Sequence, residues 1–293
     1  MFVADERNFR SAYYEKVGCK NVEERRSLEI LLKEKIVDKN KLQQFCLRYV
    51  VPTAYRSLVW RICLGALSVH NDCHGFIMDQ KKMEFSELYR SLFVMREVDI
   101  NTPKPRILYA AFLLQSNAMK FHNTLHISKG FCEIVQFLMT YFKDDVELYM
   151  LSKAFYSFIH SFDNDFPKLV EAIHNLLEKE EPLLYKHLRF VDALDNLPYE
   201  ACFNSCFAKF MNFPALAKIW DKLSGGSYTI FVYVFLALLV HFKYLFLECS
   251  TSKEVLENIN KIKENDAEII FNKAMYMWHN QGGNLAVYDK FKS

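Results

Sequence analysis

Four residues near position 70 are of the types that bind metal ions. His70, Asp72, Cys73 and His74 place four potential ligands in one short stretch. Zinc sites usually combine such a group with a second pair of ligands at a set spacing elsewhere in the chain. No such second pair is found, so a polar loop is the favoured interpretation. We expect neither a metal nor a cofactor.

The cysteines are the second candidates for chemistry. Cys132 could act as a nucleophile with His122 or His126 as its base. No local motif supports that arrangement, and a cysteine in an apolar helix usually only packs. Cys202 and Cys206, four residues apart, have no matching partner motif and are interpreted as core thiols. The scatter of all eight cysteines indicates a reduced, cytoplasmic protein rather than a disulfide scaffold.

Two further motifs have both a catalytic and a structural interpretation. Asp163 and Asp165 could form a pair of carboxylates for acid–base catalysis. Their place just before Pro167 favours capping of a helix instead. Gly225 and Gly226 lack the lysine and the glycine spacing of a phosphate-binding loop, so they predict a break between two helices.

Composition excludes several classes of protein. Of the 293 residues 51% are hydrophobic, which excludes intrinsic disorder. Lys and Arg number 37 against 35 Asp and Glu, and this balance produces no field that would attract nucleic acid or an anionic membrane. The apolar run at 230–240 is shorter than the ~20 residues of a membrane span. We therefore expect no nucleic-acid partner and no insertion into a membrane.

The hydrophobic pattern predicts helices throughout. Glycine and proline are scarce, with 8 and 7 residues, so the many turns of a sandwich or barrel are disfavoured. Thr251 and Glu254 fit a capping box. The predicted helices include residues 52–65, 77–97, 130–142, 146–162 and 228–247, with a break at 101–105.

Two distant motifs carry the most specific signal. Arg56 and Trp60 lie four residues apart on one face of a predicted helix, where the guanidinium can pack along the indole or reach a buried acceptor. Trp220 and Asp221 follow much later, in front of the glycine pair and an apolar helix. In this order the motifs resemble those of the TBC domain, the all-helical Rab GTPase-activating module, over residues 47–245.

The resemblance implies an all-α TBC-domain fold, built as a single elongated helical unit. It implies a TBC domain at residues 46–250, an N-terminal helical segment at 1–45 packed on it, and C-terminal helices of the same unit at 251–293. Within the family, the stretches at 7–18 and 27–33 are similar to members that assemble with hamartin and tuberin.

The resemblance also bears on catalysis. Active TBC domains supply an arginine from the motif I-x-x-D-x-x-R and a glutamine from Y-x-Q, and an arginine finger is worth ~10³–10⁵ in rate. Aligned on this chain, the arginine position holds Asn101, the aspartate position Val98 and the glutamine position Lys129. This implies that the protein is not an enzyme activator. An activator of a Rab GTPase stays open as the alternative, with Arg96, Arg106 or Lys129 rescuing activity.

The apolar run at 107–114 is the candidate for partner binding. A helix that is apolar all round must be covered on every side. It is either a central core helix, or Leu108, Ala111 and Phe112 line a groove for a partner's amphipathic helix. The resemblance implies that this partner is the coiled coil of hamartin, and through it tuberin, in the tuberous sclerosis complex that restrains Rheb and TOR growth signalling. It also implies recruitment to lysosomal or vesicle membranes through partners.

Overall fold

The protein is helical throughout the part that its computed structural model describes, which is residues 22–119, 128–211 and 214–281. Helices contain 74% of these residues. Within the three ranges no strand forms, and the extended backbone pairs only at one isolated bridge, between Ile36 and His70. The all-α prediction is confirmed. In the same ranges, no helix combines the length and the hydropathy that crossing a lipid bilayer requires.

The described residues form two compact units. The first contains those up to Phe155 together with Asp221–Ser227, and the second contains Tyr156–Trp220 and the residues from Tyr228 onwards. The short segment Asp221–Ser227 therefore belongs to a unit whose other residues all come earlier in the chain. The boundaries expected from the sequence at 45/46 and 250/251 stay predictions.

The helices of the first unit are α1 (Val22–Lys33), α2 (Lys39–Arg48), α3 (Thr53–Cys63), α4 (His74–Val94), α5 (Lys104–Gln115), α6 (Lys129–Met139) and the larger part of α7 (Asp145–His160). Among them, α5 packs against both α4 and α6, and α2 packs against both α1 and α3. Leu42 of α2 and Val59 and Ile62 of α3 are fully buried in the core between α1, α2 and α3.

The helices after α7 are α8 (Phe166–Glu180), α9 (Pro182–Phe190), α10 (Tyr199–Asn204), α11 (Pro214–Ser224), α12 (Ile230–His241), α13 (Lys243–Leu247), α14 (Ser252–Ile259) and α15 (Glu264–Gln281). The second unit is built around α12, in which every residue from Ile230 to Leu239 is buried. This helix packs against α8 and α15. Its aromatic and β-branched residues form a helix rather than a strand because neighbours cover it on all sides.

Several helix ends follow from local sequence. Thr251 Oγ1 accepts the backbone N–H of Glu254 at 3.4 Å, and the Glu254 carboxylate accepts the N–H of Ser250 at 2.7 Å. The predicted capping box is thus present, with its return bond shifted by one residue. Gly65 and Gly226, with φ of 75° and 95°, end α3 and α11 in the left-handed conformation that glycine adopts without steric cost.

Two predictions about helices are wrong in detail. The expected helix at 228–247 is divided, because Phe242 separates α12 from α13. Asp165 precedes α8 but does not cap it with its side chain: a 3₁₀ turn at 163–165 places Asp165 in a helical conformation. A side chain at an N-cap needs extended backbone to reach the first amides, so the Asp165 carboxylate accepts from Lys168 Nζ at 2.9 Å instead.

Candidate functional site

The residues of the two signature motifs in the first unit meet at the Asp221 carboxylate. Arg56 donates from Nε to Oδ1 at 3.0 Å and from Nη2 to Oδ2 at 3.1 Å. Trp60 Nε1 donates to Oδ1 at 2.9 Å, and the backbone N–H of Val51 donates to Oδ2 at 3.0 Å. Four donors therefore satisfy the two oxygens of one side chain.

This carboxylate is fully buried, and Arg56 is 7% exposed. Burial raises the pKa of Asp221, and the charge and hydrogen bonds of Arg56 act in the opposite direction. The guanidinium carbon lies 5.8 Å from the centroid of the Trp60 ring. Arg56 thus makes both of the contacts expected from its spacing to Trp60, the indole and a buried acceptor.

Lys222, which follows Asp221 in the chain, binds the C-terminal end of α2. Its ammonium donates to the carbonyl oxygens of Cys46 at 2.8 Å and Tyr49 at 2.6 Å. The last carbonyls of a helix lack partners within the helix, and a cation there also complements the helix dipole. Burial lowers the pKa of Lys222 to about 8. Asp221 and Lys222 together hold the corner between α2 and α3.

Trp220 has a comparable role in the second unit. Its Nε1 donates to the carbonyl oxygen of Cys206 at 3.0 Å. Cys206 follows α10 with a φ of 49°. The indole therefore fixes a turn whose backbone conformation is costly for a residue other than glycine.

The four signature residues contribute contacts inside the fold. Arg56, Trp60, Trp220 and Asp221 are buried, and their polar groups bond to the protein. The sequence motif identified all four, but nothing in it indicated that Lys222 binds backbone carbonyls, because that contact depends on where α2 ends in space.

The position aligned with the catalytic arginine lies in the turn between α4 and α5. Asn101 is exposed, and its backbone N–H donates to Asp99 Oδ1 at 2.9 Å. Thr102 Oγ1 donates to the same oxygen at 2.9 Å, and this bond, with that of Asn101, lowers the pKa of Asp99. Val98, at the aspartate position of the motif, is 4% exposed. The turn carries an amide where the motif has a cation.

The position aligned with the catalytic glutamine is the first residue of α6. Lys129 is exposed there, directly after Ser128, whose Oγ accepts the N–H of Phe131 at 3.3 Å. Ile127, at the tyrosine position, lies outside the described residues. Gln136 is exposed on the same helix, two turns farther along.

The two arginines that could replace the finger are both exposed. Arg96 follows α4 with a φ of 60°, and its backbone N–H donates to the carbonyl oxygen of Phe93 at 3.1 Å. Arg106 lies in the first turn of α5. Either guanidinium is accessible to a partner from its own position, five residues from Asn101.

The candidate partner-binding residues lie on α5. Leu108 is 1% exposed and Ala111 fully buried. Phe112 is half-buried and stacks on Phe131 of α6, with ring centroids 5.5 Å apart. Leu108 forms part of the floor of a surface depression of about 500 Å³ between α4, α5 and α7. The other lining residues are Lys82, Phe85, Ser86, Tyr89, Lys104, Ile107, Asp145 and Val146.

The remaining candidates for chemistry have ordinary structural contacts. His74 Nε2 bonds to the carbonyl oxygen of Ser68 at 2.7 Å, and Asp72 lies 3.2 Å from Lys35 Nζ. Burial raises the pKa of Cys132 to about 11, so its thiol stays protonated at neutral pH. The possible bases His122 and His126 lie outside the described residues, as does the N-terminal stretch 7–18.

Comparison with known proteins finds full-length relatives. The chain is 33% identical over 285 residues to "TBC1 domain family member 7" of Xenopus tropicalis, covering 95% of this chain and 96% of that protein. It is 32% identical over 282 residues to the Homo sapiens protein of the same name, with the same coverage. No protein-family model matches the sequence.

Solved structures with low sequence identity share the fold. The Ypt/Rab-GAP domain of Gyp1p matches with a TM-score of 0.61 at 13% identity, over 88% of this chain and 98% of that one. The TBC domain of the Chlamydomonas flagellar RabGAP matches with a TM-score of 0.62 at 13% identity, over 96% and 94%. At this identity the two structures are evidence of a common architecture alone.

Proposed function

Because this chain belongs to the TBC-domain family, among the TBC1 domain family member 7 proteins, we propose that it is a non-catalytic scaffold subunit. It binds the coiled coil of hamartin, stabilises the tuberous sclerosis complex and thereby supports the restraint of Rheb and TOR signalling. Its location is cytoplasmic, with recruitment to lysosomal or vesicle membranes through these partners. Residues 46–250 form its TBC domain.

The single observation that carries the non-catalytic assignment is the side chain at position 101. An arginine finger stabilises the charge that develops on the transferred phosphoryl group, and its loss costs about 4–7 kcal/mol of transition-state stabilisation. Asn101 has no charge to supply, although it is exposed and accessible to a GTPase. Val98 is buried where the motif has an acidic residue.

The second position supports the same conclusion. The family glutamine positions the attacking water through an amide that both donates and accepts hydrogen bonds. Lys129 has an ammonium group, which only donates. Its exposed place at the start of α6 leaves the side chain solvated, so it cannot reproduce the function of a fixed amide.

The depression between α4, α5 and α7 is the proposed site for one helix of hamartin. Leu108 and Ile107 form an apolar floor, and Lys82 and Lys104 flank it. Amphipathic helices dock in such sites by inserting apolar anchors, while their polar edges meet the rim. Ala111 is fully buried and is not among the residues that line the depression.

Binding to a purified hamartin coiled-coil fragment tests the partner. We expect a complex at micromolar concentration, and its absence would remove the partner from the proposal. Ser86→Trp fills the depression from an exposed position and is expected to weaken binding about ten-fold or more. Ser157→Trp, exposed on α7 outside the depression, is the matched control and should bind like the wild type.

An active Rab GTPase-activating protein with relocated catalytic residues is the alternative. The exposure of Arg96 and Arg106 near the degenerate turn favours it. GTP hydrolysis by a panel of purified Rab proteins separates the two functions. We expect no stimulation by the wild type. Stimulation that is lost in Arg96→Ala or Arg106→Ala would replace the scaffold proposal with this one.

A further inference from the structure

The helix α4 exposes large apolar side chains along its outer face. Phe76 is 70% exposed, Met83 is 55% exposed and Phe93 is 52% exposed. Among the described residues of α4, Leu92 alone is buried, although the helix has 21 residues. Apolar residues that are exposed together on one surface mark a contact site for another molecule.

The outer face of α4 follows the spacing of a coiled coil. Its exposed residues alternate at intervals of three and four residues, which keeps them along one line of the helix. They include one acidic and one basic residue at equal distances from the middle of the line, and one phenylalanine at each end. These residues are called the α4 seam and are Phe76, Asp79, Met83, Ser86, Arg90 and Phe93.

The charges of the seam are complementary to those of a second copy of the same helix. When two copies of α4 run antiparallel and share the middle of the seam, Asp79 of each copy lies at the height of Arg90 of the other. Two ion pairs then form across the contact. In a parallel pair, each charge would lie beside the same charge of the other copy, which is unfavourable. The pattern therefore selects the antiparallel arrangement.

The apolar residues match in the same register. Phe76 of each copy lies at the height of Phe93 of the other, and aromatic pairs of this kind are favourable beyond the area that they bury. At the centre, Met83 of each copy lies beside Ser86 of the other, so a long side chain meets a short one. The seam therefore fits a second copy of itself in both charge and size.

The other charged residues of α4 are compatible with this register. Lys81 and Glu84 pair with each other at 2.7 Å on the inner side of the helix. Lys82 and Glu87 lie on opposite flanks of the seam, where the register places each beside an uncharged residue of the other copy. Asp79 lies 3.4 Å from Lys82 of its own chain, and an exposed pair of this kind contributes little that a new partner would have to replace.

We propose that this chain forms a homodimer in which the α4 seams of two copies pack antiparallel about a two-fold axis. The axis repeats every contact, so each half of the seam is used twice. A helix of 21 residues is about 30 Å long, and one pair of such helices buries less than the roughly 800 Å² per partner of a standard interface. The dimer is therefore weak, with a dissociation constant on the order of 10–100 μM. This inference goes beyond the proposed function and does not depend on it.

The test is sedimentation equilibrium of the full chain alone, from about 1 μM to about 300 μM. Arg90→Asp places like charges at both ion-pair positions, so the dissociation constant should rise about ten-fold or more. Asp79→Arg/Arg90→Asp exchanges the two charges and restores opposite signs, so this variant should dimerise like the wild type. Arg26→Asp, at an exposed arginine of α1 outside the seam, is the matched control and should also dimerise like the wild type.

Three results would overturn the homodimer proposal. A wild type that stays monomeric at the highest concentration has no such contact. A dimer that Arg90→Asp does not weaken uses another surface. A dimer that is lost both in Arg90→Asp and in the charge-exchanged variant does not depend on pairing between positions 79 and 90. Because hamartin is absent from this experiment, each of these results leaves the proposed function standing.

Discussion

Replacing Arg56 by alanine removes two of the four hydrogen bonds on Asp221 and the cation that is bonded directly to its buried carboxylate. Breaking a buried ion pair from one side costs about 3–5 kcal/mol, because the remaining charge has lost its solvation and its partner. Val51 and Trp60 still donate to the carboxylate, which limits the loss. We therefore expect Arg56→Ala to lower the free energy of unfolding by about 3–4 kcal/mol.

Urea denaturation followed by tryptophan fluorescence measures this change. The indole of Trp60 donates to the same carboxylate, and its ring centroid lies 5.2 Å from that of Phe155. Its fluorescence emission therefore reports the packing of the site. Lys82→Ala is the control, since Lys82 pairs with Asp79 at 3.4 Å on the surface. Exposed pairs contribute about 0–1 kcal/mol. The control should therefore unfold at nearly the same urea concentration as the wild type.

A double-mutant cycle with Asp221→Asn isolates the contribution of the pair. Each single variant removes one member of the Arg56–Asp221 pair and leaves the other buried, whereas the double variant removes both members. Its destabilisation should therefore be smaller than the sum of the two by about 2–3 kcal/mol. A loss below about 1 kcal/mol in Arg56→Ala, or additive effects in the cycle, would refute the role given to this ion pair.

Three further predictions concern single positions. The pKa of Lys222 is about 8 in the fold and near 10.5 in the unfolded chain. Between these two pH values the unfolded state binds more protons than the folded state. As the pH rises from 8 to 10.5, the free energy of unfolding of the wild type should therefore increase by about 3 kcal/mol relative to that of Lys222→Met. Urea melts at pH 8 and pH 10.5 that show the same difference between the two proteins would contradict this. Gly225→Ala should lower the free energy of unfolding by about 1–3 kcal/mol, because the added Cβ would lie 2.9 Å from Leu47 Cδ2. Gly75→Ala is the control: open space surrounds Gly75, so the same urea melts should show a slight stabilisation. Arg96→Gly should raise the free energy of unfolding by about 0.5–1 kcal/mol, because glycine adopts the left-handed backbone at this position without steric cost. A lower free energy of unfolding would show that the Arg96 side chain has a stabilising contact.

The sequence predicted the helical class and most helix positions because periodicity and punctuation are local properties. Pro182 begins α9 as expected, and Thr251 caps α14. The division at Phe242 was missed, since no glycine or proline marks the break. The first unit also includes Asp221–Ser227, a relationship that only tertiary contacts establish.

The candidate site was predictable to the extent that it follows the family motif. Arg56 was expected to reach a buried acceptor, but the acceptor's identity was not, because Asp221 lies 165 residues away. Lys222 was missed altogether: a lysine beside an aspartate normally indicates a solvated surface. Its burial follows from the unpaired carbonyls at the end of α2, which no local pattern specifies.

The buried cluster and the two exposed positions differ in what a change of side chain costs the fold. Every contact of Asp221 is internal, so a change there costs folding free energy whether or not the protein is active. Asn101 and Lys129 are exposed, so changes at these positions cost almost no folding free energy. In a GTPase-activating protein, by contrast, loss of the arginine finger alone removes about 4–7 kcal/mol of transition-state stabilisation. Under the proposed function, the fold and the activity therefore depend on different residues: the buried cluster stabilises the fold, and the two exposed positions determine activity.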